Sequence, residues 1–330
     1  MLPRSLTASV VALLSLWFAD TAALAQSYPS QTIRIFVQAA AGGLPDTVGR
    51  IVTRRLQERL NATMVVENRP GANGGVAAAA LIQQPADGYT FLVTDGSVIS
   101  INPVLYSKIP YNPADLLPIV MLARAPLFLA AHPQVPVKNM QEFIDYVRKN
   151  PGKLNYGSSG VGSTHHLSME AVKAALKLDM THVPFKGTGE SVPALLGGHV
   201  DVLFSAFPSL SGAIATHKVT LLATNGAQRS PQAPEAPPIA DFIPGFDFAP
   251  VIGMFARVGT PQAIVDKFAA EAVATVNEPE IVKALAVTGV EAVGGGPAEY
   301  AKSLKAESAR VAETVKIDRK STRLNSSHRR

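Results

Sequence analysis

Short runs rich in β-branched and aromatic residues alternate repeatedly with longer segments of helical period, which restricts this chain to an α/β fold of sheets with crossover helices. Residues 32–38 (TIRIFVQ) read as a strand, and 46–60 as a helix with Val48, Ile51, Val52, Leu56 and Leu60 near one face. A strand at 63–67, a Pro70-Gly71 turn, an alanine-rich helix at 75–83 and a strand at 89–94 complete a first unit. The apolar run 119–131, broken by Pro126, leads into a second unit. Its strands are expected at 153–156, 181–185, 201–204 and 219–223, and its helices at 140–149, 163–177, 191–196 and 209–216. After a proline-rich connector, 231–250, come a strand at 254–258 and helices at 262–277, 280–287 and 297–316. Parallel strands are expected in both units, because each strand is followed by a helix that can return the chain.

The two ends are of a different kind. Arg4, the apolar stretch 10–18 and Ala23-Leu24-Ala25 form the charged, hydrophobic and small-x-small regions of an export signal, with cleavage expected after Ala25. That stretch is interrupted by Asp20 and is shorter than the roughly 20 residues a spanning helix needs. A soluble periplasmic chain starting at Gln26 is therefore expected. At the other end, 318–328 (DRKSTRLNSSH) resembles the translation of a sequencing adaptor, so 318–330 is read as a foreign tail. The tail carries five basic side chains against one acidic, and without it the net charge of +5 falls to +1. The basic character is thus no argument for a nucleic-acid or anionic-membrane partner.

The remainder, 26–317, is long enough for two domains. We expect a first lobe from 26–126 plus 250–317 and a second from 127–249, in a two-lobed periplasmic-binding-protein-like fold with a ligand cleft between the lobes. The chain has no cysteine, so disulfides, thiolate metal sites and cysteine nucleophiles are excluded.

Two loops of small residues stand out, one per lobe. The first, AAAGGL from Ala39, includes Ala40, Ala41, Gly42 and Gly43 and enters a helix at Pro45-Asp46, where proline suits the first helical position. The second, GSSGVGST from Gly157, includes Ser158, Ser159, Gly160, Gly162, Ser163 and Thr164. Both follow predicted strands, at the carboxyl ends where open α/β sheets bind ligands. Free N–H groups and the positive end of a helix dipole favour an anion there. Each loop alone would be an ordinary tight turn; the pairing points to a carboxylate held by amides, serine and threonine hydroxyls, and waters. Asp46 is read first as a helix-start residue satisfying N–H groups.

Other chemistries lack their fingerprints. There is no GxGxxG, no glycine run followed by GK[ST], no GxSxG and no HExxH. His165, His166, Glu170 and His182 could be grouped as a metal site, but only His166 and Glu170 have ligand spacing on one helical face. No metal, cofactor or catalytic residue is assigned.

Taken in order, the segments AAAGGLPD from Ala39, VVENRPGANGG from Val65, ADGYTFLV from Ala86, NPGKLNYGSSGVGSTHHL from Asn150, THVPFKGTGES from Thr181 and LLGGHVDVLF from Leu195 resemble the Bug-type substrate-binding receptors of tripartite tricarboxylate transporters. Arg229-Ser230-Pro231 and the GTP of Gly259 continue the order. The resemblance implies an extracytoplasmic receptor that passes a small organic acid to a two-component membrane permease. The acid could be a di- or tricarboxylate, an aromatic acid or an acidic amino acid. It further implies ligand contacts from Ala40 to Gly43 with Asp46, from Ser158 to Thr164 with His166, and a cleft position for Lys186. Ser205 departs from the pattern, since many relatives carry aspartate there, and this leaves the distal half of the ligand open. A monomer is expected. An exported hydrolase using Ser158 or Ser163 with His166, and a sensor for a membrane kinase, are the competing readings.

Overall fold

In the computed structural model, which describes residues 28–327, the chain builds two sheets and crosses between them at two points. The export signal read at 1–25 lies outside the described residues.

The first sheet begins with β1 (Ile33–Val37), α1 (Leu44–Leu60), β2 (Met64–Asn68), α2 (Gly75–Ile82) and β3 (Thr90–Asp95). Two single helical turns, Ser97–Ser100 and Asn102–Leu105, precede β4 (Leu116–Arg124). The chain then passes through Ala125-Pro126 into β5 (Leu127–Ala131) of the second sheet. There it continues as α3 (Met140–Lys149), β6 (Asn155–Ser158), α4 (Thr164–Leu176), β7 (Thr181–Pro184), α5 (Thr188–Leu196), β8 (Val202–Ala206), α6 (Phe207–Ala215) and β9 (Thr220–Thr224). It returns as β10 (Val251–Arg257), α7 (Gln262–Val276), α8 (Pro279–Val287), β11 (Glu291–Gly295) and α9 (Pro297–Ser327). The backbone of 318–327, read as part of a foreign tail, continues α9 as helix. No helix among the described residues is long and apolar enough to cross a membrane.

The strand orders are β11-β4-β10-β3-β1-β2 and β7-β6-β8-β5-β9. The sheets are mixed rather than wholly parallel, contrary to the sequence expectation. β1 runs parallel to β2 and β3, but β10 is antiparallel to both β3 and β4, and β5 is antiparallel to β8 and β9. The reason is the double crossing. β4 hands the chain straight to β5 and β10 brings it back, so these strands run against their neighbours instead of closing a βαβ unit. The strand β11 was not foreseen either, because its EAVGG sequence lacks the β-branched density of a buried strand.

Helices cover both faces of each sheet. Against the first sheet, α1 and α7 close one core around Ile35, Val52 and Phe91, with Phe91 stacked on Phe268 at 3.7 Å. On its other face Phe36, Leu92, Phe255 and Tyr300 pack with α2 and α9. The second sheet buries Leu129, Phe143, Tyr156 and Phe204 on one side and Phe128, Leu195 and Leu203 on the other. A smaller cluster, Ile101, Leu167, Val311 and Val315, joins α9 and the turns after β3 to α4 of the second sheet.

Gly253, in the middle of β10, stands where the first sheet leaves no room for a side chain. A Cβ there would lie 2.4 Å from Tyr300 Cε1 and 2.6 Å from the Val120 carbonyl oxygen, and the latter is backbone that cannot rotate away. Gly253→Ala is expected to cost about 1–3 kcal/mol by overpacking, read as a lower midpoint in urea unfolding with an unchanged slope.

Candidate functional site

A cleft of about 560 Å3 opens between the sheets, and the starts of four helices line it. Gly42 to Pro45 and Thr47 come from the start of α1, Thr164 and His165 from α4, Thr188 from α5, and Ala206, Pro208 and Ser209 from the junction of β8 with α6. All four helices follow the carboxyl ends of strands, where the topology leaves a crevice. The first-turn N–H groups of each have no partner within the helix. Among the described residues the lining contains no lysine or arginine.

The first loop is shaped by Gly42, whose φ of +81° is a left-handed conformation natural to glycine, and by Pro45 in the first turn of α1. Asp46 locks it from behind. Its carboxylate accepts the Gly42 N–H at 2.9 Å, Arg50 Nε at 2.9 Å and Asn68 Nδ2 at 2.8 Å, and the residue is 2% exposed. Burial alone would raise this carboxyl's pKa, but the bonds from Arg50, Gly42 and Asn68 outweigh it and hold the group below its ordinary range. Asp46 is therefore a brace for the loop rather than part of the cleft wall.

The second loop is braced through its hydroxyls. Ser158 Oγ accepts the Gly160 N–H at 3.1 Å and lies 2.7 Å from His182 Nε2. Ser163 Oγ donates to the Gly160 carbonyl at 2.7 Å and accepts the His166 N–H at 3.3 Å, capping α4. His166 Nδ1 accepts the Gly162 N–H at 3.2 Å. Behind these, the rings of Tyr156, His182 and His166 stack at 4.8 and 4.1 Å. Tyr156 hydroxyl donates to Glu170, which also takes Lys173 at 2.6 Å. His166, Glu170 and His182 are thus committed to the loop and its support, whereas His165 lines the cleft. No group of three or more His, Cys, Asp or Glu placed to hold a metal occurs among the described residues.

Of the residues singled out from sequence, the structure places Gly42, Gly43 and Thr164 on the cleft wall. Ala40 accepts the Gly43 N–H within the loop turn, and Ala41 is exposed beside it. Gly160 and Gly162, with φ of +115° and +80°, form the turn itself. Ser159 Oγ is enclosed without a partner. Lys186 is exposed, its N–H given to Glu190. Ser205 is fully buried in β8 and its Oγ has no partner, whereas the next residue, Ala206, reaches the cleft. Thr188 and Ser209 lie at further strand-to-helix junctions, the signal that picked out the two glycine loops. Thr47, Asp95, Ile252 and Thr288 also line the cleft, and none of them lies in a small-residue run between a predicted strand and a predicted helix.

This architecture has close counterparts. The model of the tripartite tricarboxylate transporter family receptor matches residues 48–318. The chain belongs to that family. Among solved structures, a periplasmic transporter is 35% identical with a TM-score of 0.73, covering 88% of this chain and 97% of its own. Rpa4515 of R. palustris, solved with adipate, is 31% identical with a TM-score of 0.76, over 88% and 98% of the two chains. MatC of Rhodopseudomonas palustris, with bound malate, is 30% identical with a TM-score of 0.72, over 87% and 100%. The family is one of solute-binding receptors, and this chain shares its two-sheet fold.

Two imidazoles of this receptor, His165 and His182, are pushed toward the neutral form. Desolvation pushes His165 down to about 4, and it does the same to His182, where His166 adds a smaller effect in the same direction. The unfolded chain takes up these protons near the ordinary value of 6.5, before the folded chain does, so stability falls as pH drops from about 6.5 to about 4. Melting curves across that window should show the loss, and His182→Gln should flatten the slope while leaving the neutral-pH fold intact.

Proposed function

We propose that this receptor captures a small carboxylate in the cleft between its sheets and presents it, unchanged, to the membrane subunits of a tripartite transporter from the periplasmic side. One observation carries the reading. Four helix starts converge on a cleft that has no cationic side chain in its lining, so backbone amides and helix dipoles are the source of positive potential there. Such a site suits an anion small enough to lie among the helix ends, with Thr47, Thr164, Thr188 and Ser209 offering hydroxyls. The bound adipate and malate of two neighbours support a carboxylate as that anion. A periplasmic location rests on the family and on the neighbouring periplasmic transporter.

A hydrolase on this frame would need its serine within reach of a substrate carbonyl. The Ser158–His182 pair has the contact distance of a nucleophile and base, 2.7 Å, but Ser158 is 1% exposed and its Oγ is taken up by the Gly160 N–H. The pair supports the loop instead.

A thermal-shift screen across straight-chain mono- and dicarboxylates, hydroxy acids, amino acids and aromatic acids tests the proposal, since a ligand of the native state raises the melting temperature by mass action. The ligand should be recovered chemically intact after prolonged incubation. Thr164→Val, which deletes a cleft hydroxyl at constant shape, should weaken binding of the hit about 5- to 30-fold, the worth of one to two hydrogen bonds. Absence of any shift across the panel, or conversion of the ligand, would sink the receptor reading.

A further inference from the structure

Among the described residues, Asp95 is the one carboxylate in the wall of a cleft otherwise arranged for anions. It closes β3, where Val93 pairs with Val37 of β1, so it stands level with the start of the Ala39–Gly43 loop. It also pairs with Ile252 of β10, which lines the same cleft. One carboxylate oxygen, Oδ1, is used locally and accepts both the N–H and the hydroxyl of Ser97. No described residue donates to the other, Oδ2. A second acidic group, Glu307, packs directly behind, so close that a Cβ on Gly96 would lie 2.4 Å from its Oε2. Burial, with the nearby charge of Asp95 acting in the same direction, pushes the Glu307 carboxyl up to about 7, toward its neutral form, and Arg310 lines the same small cavity of about 20 Å3. Glu307 does not line the cleft, so Asp95 is the carboxylate that a ligand there meets.

Resting on the reading of the cleft as a carboxylate site, we propose that Asp95 determines which carboxylates are accepted: those whose distal end carries a hydrogen-bond donor, an ammonium first and a hydroxyl second. The helix starts take the ligand carboxylate, and Oδ2 of Asp95 takes the donor. A second carboxylate on the ligand would enter the same cleft as Asp95, with no lysine or arginine in the lining to separate the like charges. A ligand with an apolar distal end would strip Oδ2 of water and leave it unpaired, which also disfavours binding.

The test compares matched straight-chain acids that differ only in the terminal group: methyl, hydroxyl, ammonium or carboxylate, each titrated calorimetrically into the full receptor at neutral pH over several chain lengths. At the best-fitting length the amino or hydroxy acid should bind at least about tenfold tighter than the diacid. Asp95→Asn keeps an oxygen to accept from Ser97, removes the charge and puts an amide donor where Oδ2 stood, so it should bring the amino-acid to diacid ratio to about one or below. Equal or tighter binding of the diacid by the unmodified receptor, or an unchanged ratio in D95N, would overturn the assignment of Asp95 and leave the carboxylate receptor standing. Failure of every acid in the series, together with the absence of any hit in the wider thermal-shift panel, would remove the receptor reading itself and this assignment with it. Should D95N not fold, the ratio measured on the unmodified receptor decides alone.

Discussion

Every helix that starts in this molecule leaves N–H groups that its own turns cannot satisfy, and the placement of four such starts around one cleft determines most of what surrounds it. Groups of this kind are tolerable only if water, a side chain or a ligand meets them. The chain meets part of the demand from behind, in a different way in each half. Asp46 does so in the first loop, drawing the Gly42 N–H inward with a carboxylate that Arg50 and Asn68 keep ionised. In the second, the neutral hydroxyls of Ser158 and Ser163 tie down the Gly160 turn, and His166 Nδ1 takes the Gly162 N–H. What the braces leave over faces the cleft.

The two sheets bring these loops together because the chain crosses between them twice at short, proline-marked steps, at Ala125-Pro126 and before β10 at Pro250. Ala125, Leu127, Pro250 and Ile252, which flank the crossings, line the floor of the cleft. The salt bridge of Arg124 with Asp247 at 2.7 Å spans the same two segments. Two side-by-side connections of this kind are the arrangement about which two-domain binding proteins open and close. The cluster of Ile101, Leu167, Val311 and Val315 adds apolar contact between the halves through α9. Domain motion in such a frame would be governed by few side chains, most of them close to the crossings.

Much of the fold could be read from periodicity, and the exceptions have physical causes. Strands such as IRIFV of β1 and the helix α1, with its apolar face, declare themselves locally. Strand direction does not, since TLLAT and LFLAA look the same whichever way they run, and only the double crossing makes β5 antiparallel. At the site, glycine marks a backbone that must turn sharply, and this made the two loops visible. Serine-rich composition did not reveal which way each hydroxyl points. Ser158 and Ser163 turn out to serve the loop, whereas Thr164, the next residue, reaches the cleft. Asp95 was invisible for a related reason. It sits at the end of an ordinary strand, and nothing in TFLVTD says that its last residue opens onto a ligand space.

The contrast between Asp46 and Asp95 shows how one side-chain type serves opposite ends in one site. Asp46 has its negative charge absorbed by three donors and, at 2% exposure, contributes little field to the cleft beyond fixing the amides in place. Asp95 gives Ser97 one oxygen, has no described donor on the other, and lines the cleft. A cleft whose only fixed positive field comes from helix ends, each worth about half a charge at most, cannot ignore a full negative charge in its wall. Either a bound molecule supplies the counter-charge or donor, or hydration of Asp95 must persist beside the ligand. Which of these holds sets how far the receptor discriminates among acids, because amides and dipoles grip any carboxylate alike.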